Sequence, residues 1–286
     1  MVNFYPIYEI DEFSYEAEEA MGTKSKFWYD DSEYLFKEGR EGTGENWAEK
    51  IASELICLLE LPHAEYDFAD YKGKQGTRSK NFIPEDGALI HGNELLSIFK
   101  SDYDATLTYS QREHTARLVM ALLKNHNPPV GYIPTALIKD GSDLFVGYLL
   151  FDAWISNTDR HHENWGVVGF REGGELCIYL TPSFDHASSL GCREGHAAKE
   201  DRMTTADEQR KVDRYVLKAR SALYKNPTDT KPLTTHDAFF EASKYNPGAA
   251  NYWVEKLIEI TDTAINLVFE KMPDGYMHEI VPRQSL

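Results

Sequence analysis

Residues 156–168 read SNTDRHHENWGVV, and Asp159, Arg160, His161, His162, Glu163 and Asn164 stand in unbroken succession between apolar segments. Burying so many polar groups without partners would cost several kcal/mol. Three readings are open. A polar turn capping a helix could carry its histidines on the surface. A mixed Asp/His metal site is a second, although a zinc helix is excluded because His162-Glu163 lacks a second His four residues on. The third uses Asp159 and Asn164, a carboxylate and an amide five residues apart. Phosphoryl transfer needs that pair: the Asp takes a proton from the attacking hydroxyl or orients it, and the Asn oxygen holds Mg²⁺ on the phosphates of ATP.

The third reading demands further residues. A second oxygen ligand should return beside Asn164 after a hairpin, and LTPSFDHASSLG supplies Asp185 there; two such oxygens suit Mg²⁺, a hard cation. A lysine should meet the phosphates from an N-terminal strand, and EYLFKEG offers Lys37. A helical acid should pair with it, and Glu49 lies twelve residues on. A glycine-bearing loop should cover the phosphates. AMGTKSKFW places Gly22, Lys24 and Lys26 there, with hydroxyls at Thr23 and Ser25. Each has a plainer reading: an exposed strand lysine, an acid favoured at a helix N-terminus, a common turn. The four residues Lys37, Asp159, Asn164 and Asp185 together argue against a dead site, which has no chemical need for all of them.

The elements that must position these groups follow from periodicity. KFWYDD and EYLFKEG form a hairpin about DDS. After the glycine-rich GREGTG, ENWAEKIASELICLLEL repeats Trp47, Ile51, Leu55, Leu58 and Leu59 at helical spacing. LPHAEYDFADYKG and TRSKNFI read as strands, and ALIHG as a short extended piece. SQREHTARLVMALLKNH opens with Ser110 and Glu113 at capping-box spacing. DLFVGYLLFDAWISN is apolar nearly all round, a buried central helix. NWGVVGF and ELCIYLT flank REGGE as a hairpin. The stretch 186–215 is polar and is expected to be a mobile activation or substrate segment. NYWVEKLIEITDTAINLVFEKM reads as one helical run. The fold expected is α+β: a small β-rich N-lobe over residues 1–100 and a larger helical C-lobe over 101–286.

The whole chain, 286 residues with 42% hydrophobic and 13% aromatic residues, can bury a real core. Its formal net charge of −17 argues against nucleic-acid binding, and mildly against an anionic membrane surface. Three cysteines without paired spacing favour a reducing cytosol over a disulfide framework or zinc site. No secretory signal opens the sequence and no apolar run reaches membrane length.

NTDRHHENWGVV together with LTPSFDHASSLG resembles the HipA-like serine/threonine kinases, toxin components of bacterial toxin–antitoxin pairs. More distantly it resembles the DRHxxN loop of phosphatidylinositol kinases. Both have the bilobal protein-kinase-like fold. The resemblance runs over residues 18–270. It implies ATP and Mg²⁺ in a cleft between the lobes, with a hinge near Asn81, Phe82 and Ile83. Asp159 would be the catalytic base, Asn164 and Asp185 the metal ligands, and Lys37, backed by Glu49, the phosphate lysine. His161 would support Asp159 or a phosphate. Self-phosphorylation would fall on Ser25 or Thr23. The family's substrates imply a protein acceptor such as an aminoacyl-tRNA synthetase or another translation factor, and an antitoxin partner, in the cytoplasm. The short acidic stretch before the loop implies a core-only member. A lipid head-group or small-molecule kinase, and a nucleotide-binding pseudokinase, are the alternatives.

Overall fold

The computed structural model describes residues 3–11, 15–18 (backbone only) and 25–276. Strands β1 (Ile7–Glu9), β2 (Tyr15–Glu18), β3 (Lys26–Tyr29) and β4 (Tyr34–Glu38) come first, then helix α1 (Glu45–Leu58), then β5 (Tyr66–Tyr71) and β6 (Lys74–Lys80). They build one six-stranded sheet in the order β1-β5-β6-β4-β3-β2. The β3–β4 hairpin turns on Asp30, Asp31 and Ser32, all at positive φ. Short polar side chains tolerate that region best after glycine. Phe27, Tyr29 and Phe36 bury one face of the sheet, with Ile10 and Ala69. The opposite face carries Lys37 toward α1.

A second sheet holds β7 (Ala88–His91), β8 (Gly166–Glu172) and β9 (Glu175–Leu180), all antiparallel. Strand β7 therefore pairs with the hairpin that follows the polar loop, not with β1–β6. Close approach there requires glycine. A Cβ on Gly166 would lie 2.4 Å from the Ile90 carbonyl oxygen, and one on Gly92 would lie 2.4 Å from the Trp165 ring.

Helices α2 (Gly92–Phe99), α3 (Ala116–Leu123), α4 (Gly141–Trp154), α5 (His196–Thr204), α6 (Val212–Lys218), α7 (Thr235–Ser243), α8 (Pro247–Glu259) and α9 (Asp262–Glu270) make up the rest. The expectation for α4 holds: nearly every residue is buried, among them Phe145, Tyr148 and Phe151, and it packs against α3, α7 and α8. Asp140 caps it, accepting from Ser142 N and Asp143 N.

Two local expectations are corrected, and a third segment gains detail. Ser110 and Glu113 form no capping box; Ser110 sits at φ +61° and α3 starts at Ala116, with Thr115 Oγ1 accepting from Leu118 N. Residues 104–114 are instead used in turns over the polar loop. The C-terminal run breaks at Ile260, because Thr261 offers a better N-cap for a new helix, accepting from Ala264 N. The polar stretch after Asp185 contains two short helices, α5 and α6, neither with a buried residue. No helix of the described residues is long and apolar enough to cross a membrane.

Candidate active site

Strand β4 alternates Phe36 into the sheet core and Lys37 out of it, toward α1 and the loop after β9. The Lys37 ammonium lies 3.0 Å from Asp185 Oδ1 and 3.7 Å from Glu49 Oε2. Burial works against its charge, but Asp185, the Tyr66 hydroxyl and Glu49 hold it well above the usual lysine range. Glu49 is almost fully buried and its Oε1 accepts the backbone N–H of His186 at 2.6 Å. Tyr66 of β5 completes the cluster: its hydroxyl accepts the Asp185 N–H at 3.3 Å, and its phenol is raised by burial and then by Glu49. Asp185 itself adopts φ +58°, a backbone state that Asp tolerates better than most residues. Lys37, Glu49 and Asp185, distant in sequence, thus meet at one point.

The polar loop is organised by its one fully buried cation. Arg160 donates from Nε to Asp152 Oδ2 at 2.8 Å and from Nη2 to Asp152 Oδ1 at 2.7 Å, a two-pronged pair on the last turn of α4. Its remaining N–H groups reach the Asn164 carbonyl at 3.0 Å, the Phe184 carbonyl at 3.3 Å and Ser183 Oγ at 3.0 Å. One guanidinium therefore binds α4, the Asp159–Asn164 loop and the residues just before Asp185. Sequence reasoning assigned it no role. The signal was Asp152: a carboxylate in an otherwise apolar helix demands a buried cation nearby.

Asn164 donates Nδ2 to the Asp159 carbonyl at 2.7 Å, which leaves Oδ1 as the atom to offer a ligand. The Asp159 carboxylate is held from both sides. Oδ1 accepts from the Tyr109 hydroxyl and Oδ2 from the Ser188 hydroxyl, each at 3.1 Å. His161 Nδ1 accepts the Glu163 N–H at 3.2 Å, which puts the proton of a neutral ring on Nε2, 3.8 Å from Asp159 Oδ1. Neither Tyr109 nor Ser188 stood out in the sequence, because both come to Asp159 by tertiary folding.

Lys37, Asp159, His161, Asn164 and Asp185 line a cleft of about 530 Å³ between the first sheet and the helical part, with Glu49 and Arg160 buried behind its wall. Phe82 and Ile83 lie on its wall, with Phe82 stacked on Phe184 at 5.7 Å. The Ile83 N–H, one of the backbone groups expected at a hinge, already donates to Asn81 Oδ1 at 3.0 Å. Gly22, Thr23 and Lys24 lie outside the described residues. Ser25 is exposed, and its carbonyl accepts the Glu38 N–H at the open end of the β3–β4 hairpin. Lys26 lines the cleft. No group of three or more His, Cys, Asp or Glu side chains among the described residues could hold a metal alone.

No protein-family model matches the chain, and no curated protein does. Solved structures do. The crystal structure of CtkA, a proinflammatory kinase of Helicobacter pylori, is similar with a TM-score of 0.65 at 20% identity, over 97% of this chain and 88% of that one. HipA of Shewanella oneidensis MR-1, solved with HipB and operator DNA, gives a TM-score of 0.44 at 14% identity, over 92% and 64%; a likeness that slight bears no weight. At such identity the first likeness speaks for the fold. The chain has the α+β fold of a kinase, a sheet lobe joined to a helical lobe, as its periodicity and motifs predict.

Proposed function

We propose that the chain is an ATP- and Mg²⁺-dependent phosphotransferase that moves the γ-phosphoryl group to a Ser or Thr hydroxyl of a protein. The observation that carries it is the convergence of Lys37, Asp185, Asn164 and Asp159 on one cleft, with Lys37 kept charged by Asp185 and Glu49.

The residues fit the cofactor. Mg²⁺ is commonly held by one or two carboxylates together with substrate phosphates rather than by a full protein cage. Asp185 supplies the carboxylate and Asn164 Oδ1 the second oxygen. Bound there, the ion would neutralise charge on the phosphates. Lys37 would pair with phosphate oxygens, and its buried Glu49 fixes where the ammonium sits. Asp159 orients the acceptor hydroxyl and takes its proton, within reach of His161 Nε2. Little covalent chemistry is left to the protein, so positioning and charge dominate.

The test is transfer of labelled γ-phosphate from ATP into the purified protein and then into a cell lysate, with Asp159→Asn alongside. Transfer should fall by about 10²–10⁴-fold in that variant, the usual weight of a general base. Transfer near the wild-type rate would remove Asp159 from the role. Label confined to lipids or small molecules would change the acceptor class. Asp185→Asn should weaken nucleotide binding at limiting Mg²⁺. Intact-mass measurement tests Ser25 and Thr23 as sites of self-phosphorylation.

A further inference from the structure

Asp159 has two carboxylate oxygens, and a hydroxyl of the protein itself donates to each. An acceptor hydroxyl must reach one of these oxygens, because the base has to touch the proton it removes, and each donor already there fills one of the lone pairs it could use and crowds the approach to the other. The two donors differ. Ser188 is 8% exposed, and its carbonyl accepts the Thr158 N–H, so it is fixed beside the loop. Tyr109 is 62% exposed, and its ring touches His161 edge-on at 5.4 Å. It rides on residues 107–110, a strap secured at its two ends. Asn93 Nδ2 donates to the Ala105 carbonyl, and Gln111 Nε2 to the Asp104 carbonyl. Between them Leu107, Tyr109 and Ser110 are all exposed. A rotation of the Tyr109 side chain frees Asp159 Oδ1 without opening any core.

We infer that Tyr109 decides which hydroxyl reaches Asp159: it stands at the acceptor position, keeps water from it, and turns aside for an acceptor that makes contacts of its own with the exposed strap, a polypeptide. The inference rests on the phosphotransferase reading. In transfer, the acceptor oxygen bonds to the γ-phosphorus, the bond from that phosphorus to the bridging oxygen of ADP breaks with its electron pair left on ADP, and the acceptor proton goes to Asp159. Water could do the same and waste the nucleotide. A tyrosine hydroxyl parked on Oδ1 denies water that place. The phenol stays protonated there, pushed up to about 12 by partial desolvation of its hydroxyl against the loop and by the Asp159 charge, so it remains a donor.

The experiment is ATP hydrolysis to ADP and phosphate, with Mg²⁺ and no added acceptor, by the full chain. Wild type, Tyr109→Phe, Tyr109→Ala, Asp159→Asn and Tyr109→Phe/Asp159→Asn are compared, and ATP affinity is measured for each. Hydrolysis should rise several-fold in Tyr109→Phe and at least as much in Tyr109→Ala, with ATP affinity unchanged. The double variant should fall back to the Asp159→Asn level. Unchanged or slower hydrolysis in both Tyr109 variants, with Asp159 still required, would overturn the role of Tyr109 and leave the phosphotransferase reading standing. No ATP binding by any variant, or hydrolysis indifferent to Asp159, would remove that reading and the inference with it.

Discussion

Arg160 and Asp152, eight residues apart, form a buried ion pair whose guanidinium also holds the Asn164 and Phe184 carbonyls. Removing one member of such a pair strands the other charge, which costs about 3–5 kcal/mol, whereas replacing both with apolar residues is often nearly neutral. Urea unfolding should show that loss for Arg160→Met and for Asp152→Leu alone. The double variant should recover much of the stability. Phosphoryl transfer should stay low even then, because the loop has lost its tie to the Asp185 segment. Full recovery of activity with stability would make Arg160 a packing residue only.

Lys37 and Glu49 should separate in their effects. Lys37→Ala removes a charged donor aimed into the cleft, and loss of one preorganised donor costs about 10²–10³ in rate. Glu49→Gln keeps an oxygen for the His186 N–H and loses only the charge that steadies Lys37, so its loss should be smaller. Transfer rates at saturating Mg·ATP check the order. A larger deficit for Glu49→Gln would mean that Glu49 chiefly holds the His186 turn.

His162 gives a dependence on pH. It is buried, its Nδ1 meets the Tyr103 hydroxyl at 2.6 Å, and burial, then the neighbouring His161, lowers it from 6.5 to about 4. His114, beside it, is lowered to about 3 by burial and then by His162. A histidine held below its unfolded value favours folding above pH 6.5, and that stability is lost as pH falls toward the folded value. Each pKa unit is worth about 1.4 kcal/mol. The Tm should therefore drop between pH 6.5 and 4, and His162→Gln should flatten the drop. An equally steep profile in the variant would assign the loss to other groups.

Thr115 caps α3 through a single side-chain bond to Leu118 N. Thr115→Ala should cost about 1 kcal/mol, read from the urea midpoint. Ser110→Ala should cost less, since Ser110 caps nothing.

The candidate site was legible where its logic is local. Asp159 and Asn164 are neighbours in one loop, and a hairpin between Asn164 and Asp185 needs only two apolar strands around a glycine turn. Lys37 and Glu49 were legible because a strand and the helix after it have predictable faces. Arg160 was not, since an arginine among polar residues reads as exposed until its carboxylate partner is known. Strand β7 read correctly as extended, but no periodicity says which sheet it joins. Ser110 and Glu113 show the converse: capping-box spacing is a local preference, and the turns over the polar loop overrode it.

The link from α1 to β5, residues 59–65, also joins the two lobes. Ser183 N–H donates to the Pro62 carbonyl, and Ala64 N–H to the Ser183 carbonyl. The chain itself crosses from one lobe to the other at residues 81–87, and from β7 onward it is fastened to the catalytic side through Gly92, Asn93 and His91. A third tie lies at Tyr5, whose N–H donates to the Lys271 carbonyl and whose hydroxyl donates to the Val268 carbonyl, and one buried core runs from α1 to α4 and α9. The front edge of the cleft has ties of its own, where Gly44 N–H meets the Cys192 carbonyl, Arg193 meets Glu45 and Lys37 meets Asp185. The ion pair at the centre of the proposed chemistry is thus also a seam between the two lobes.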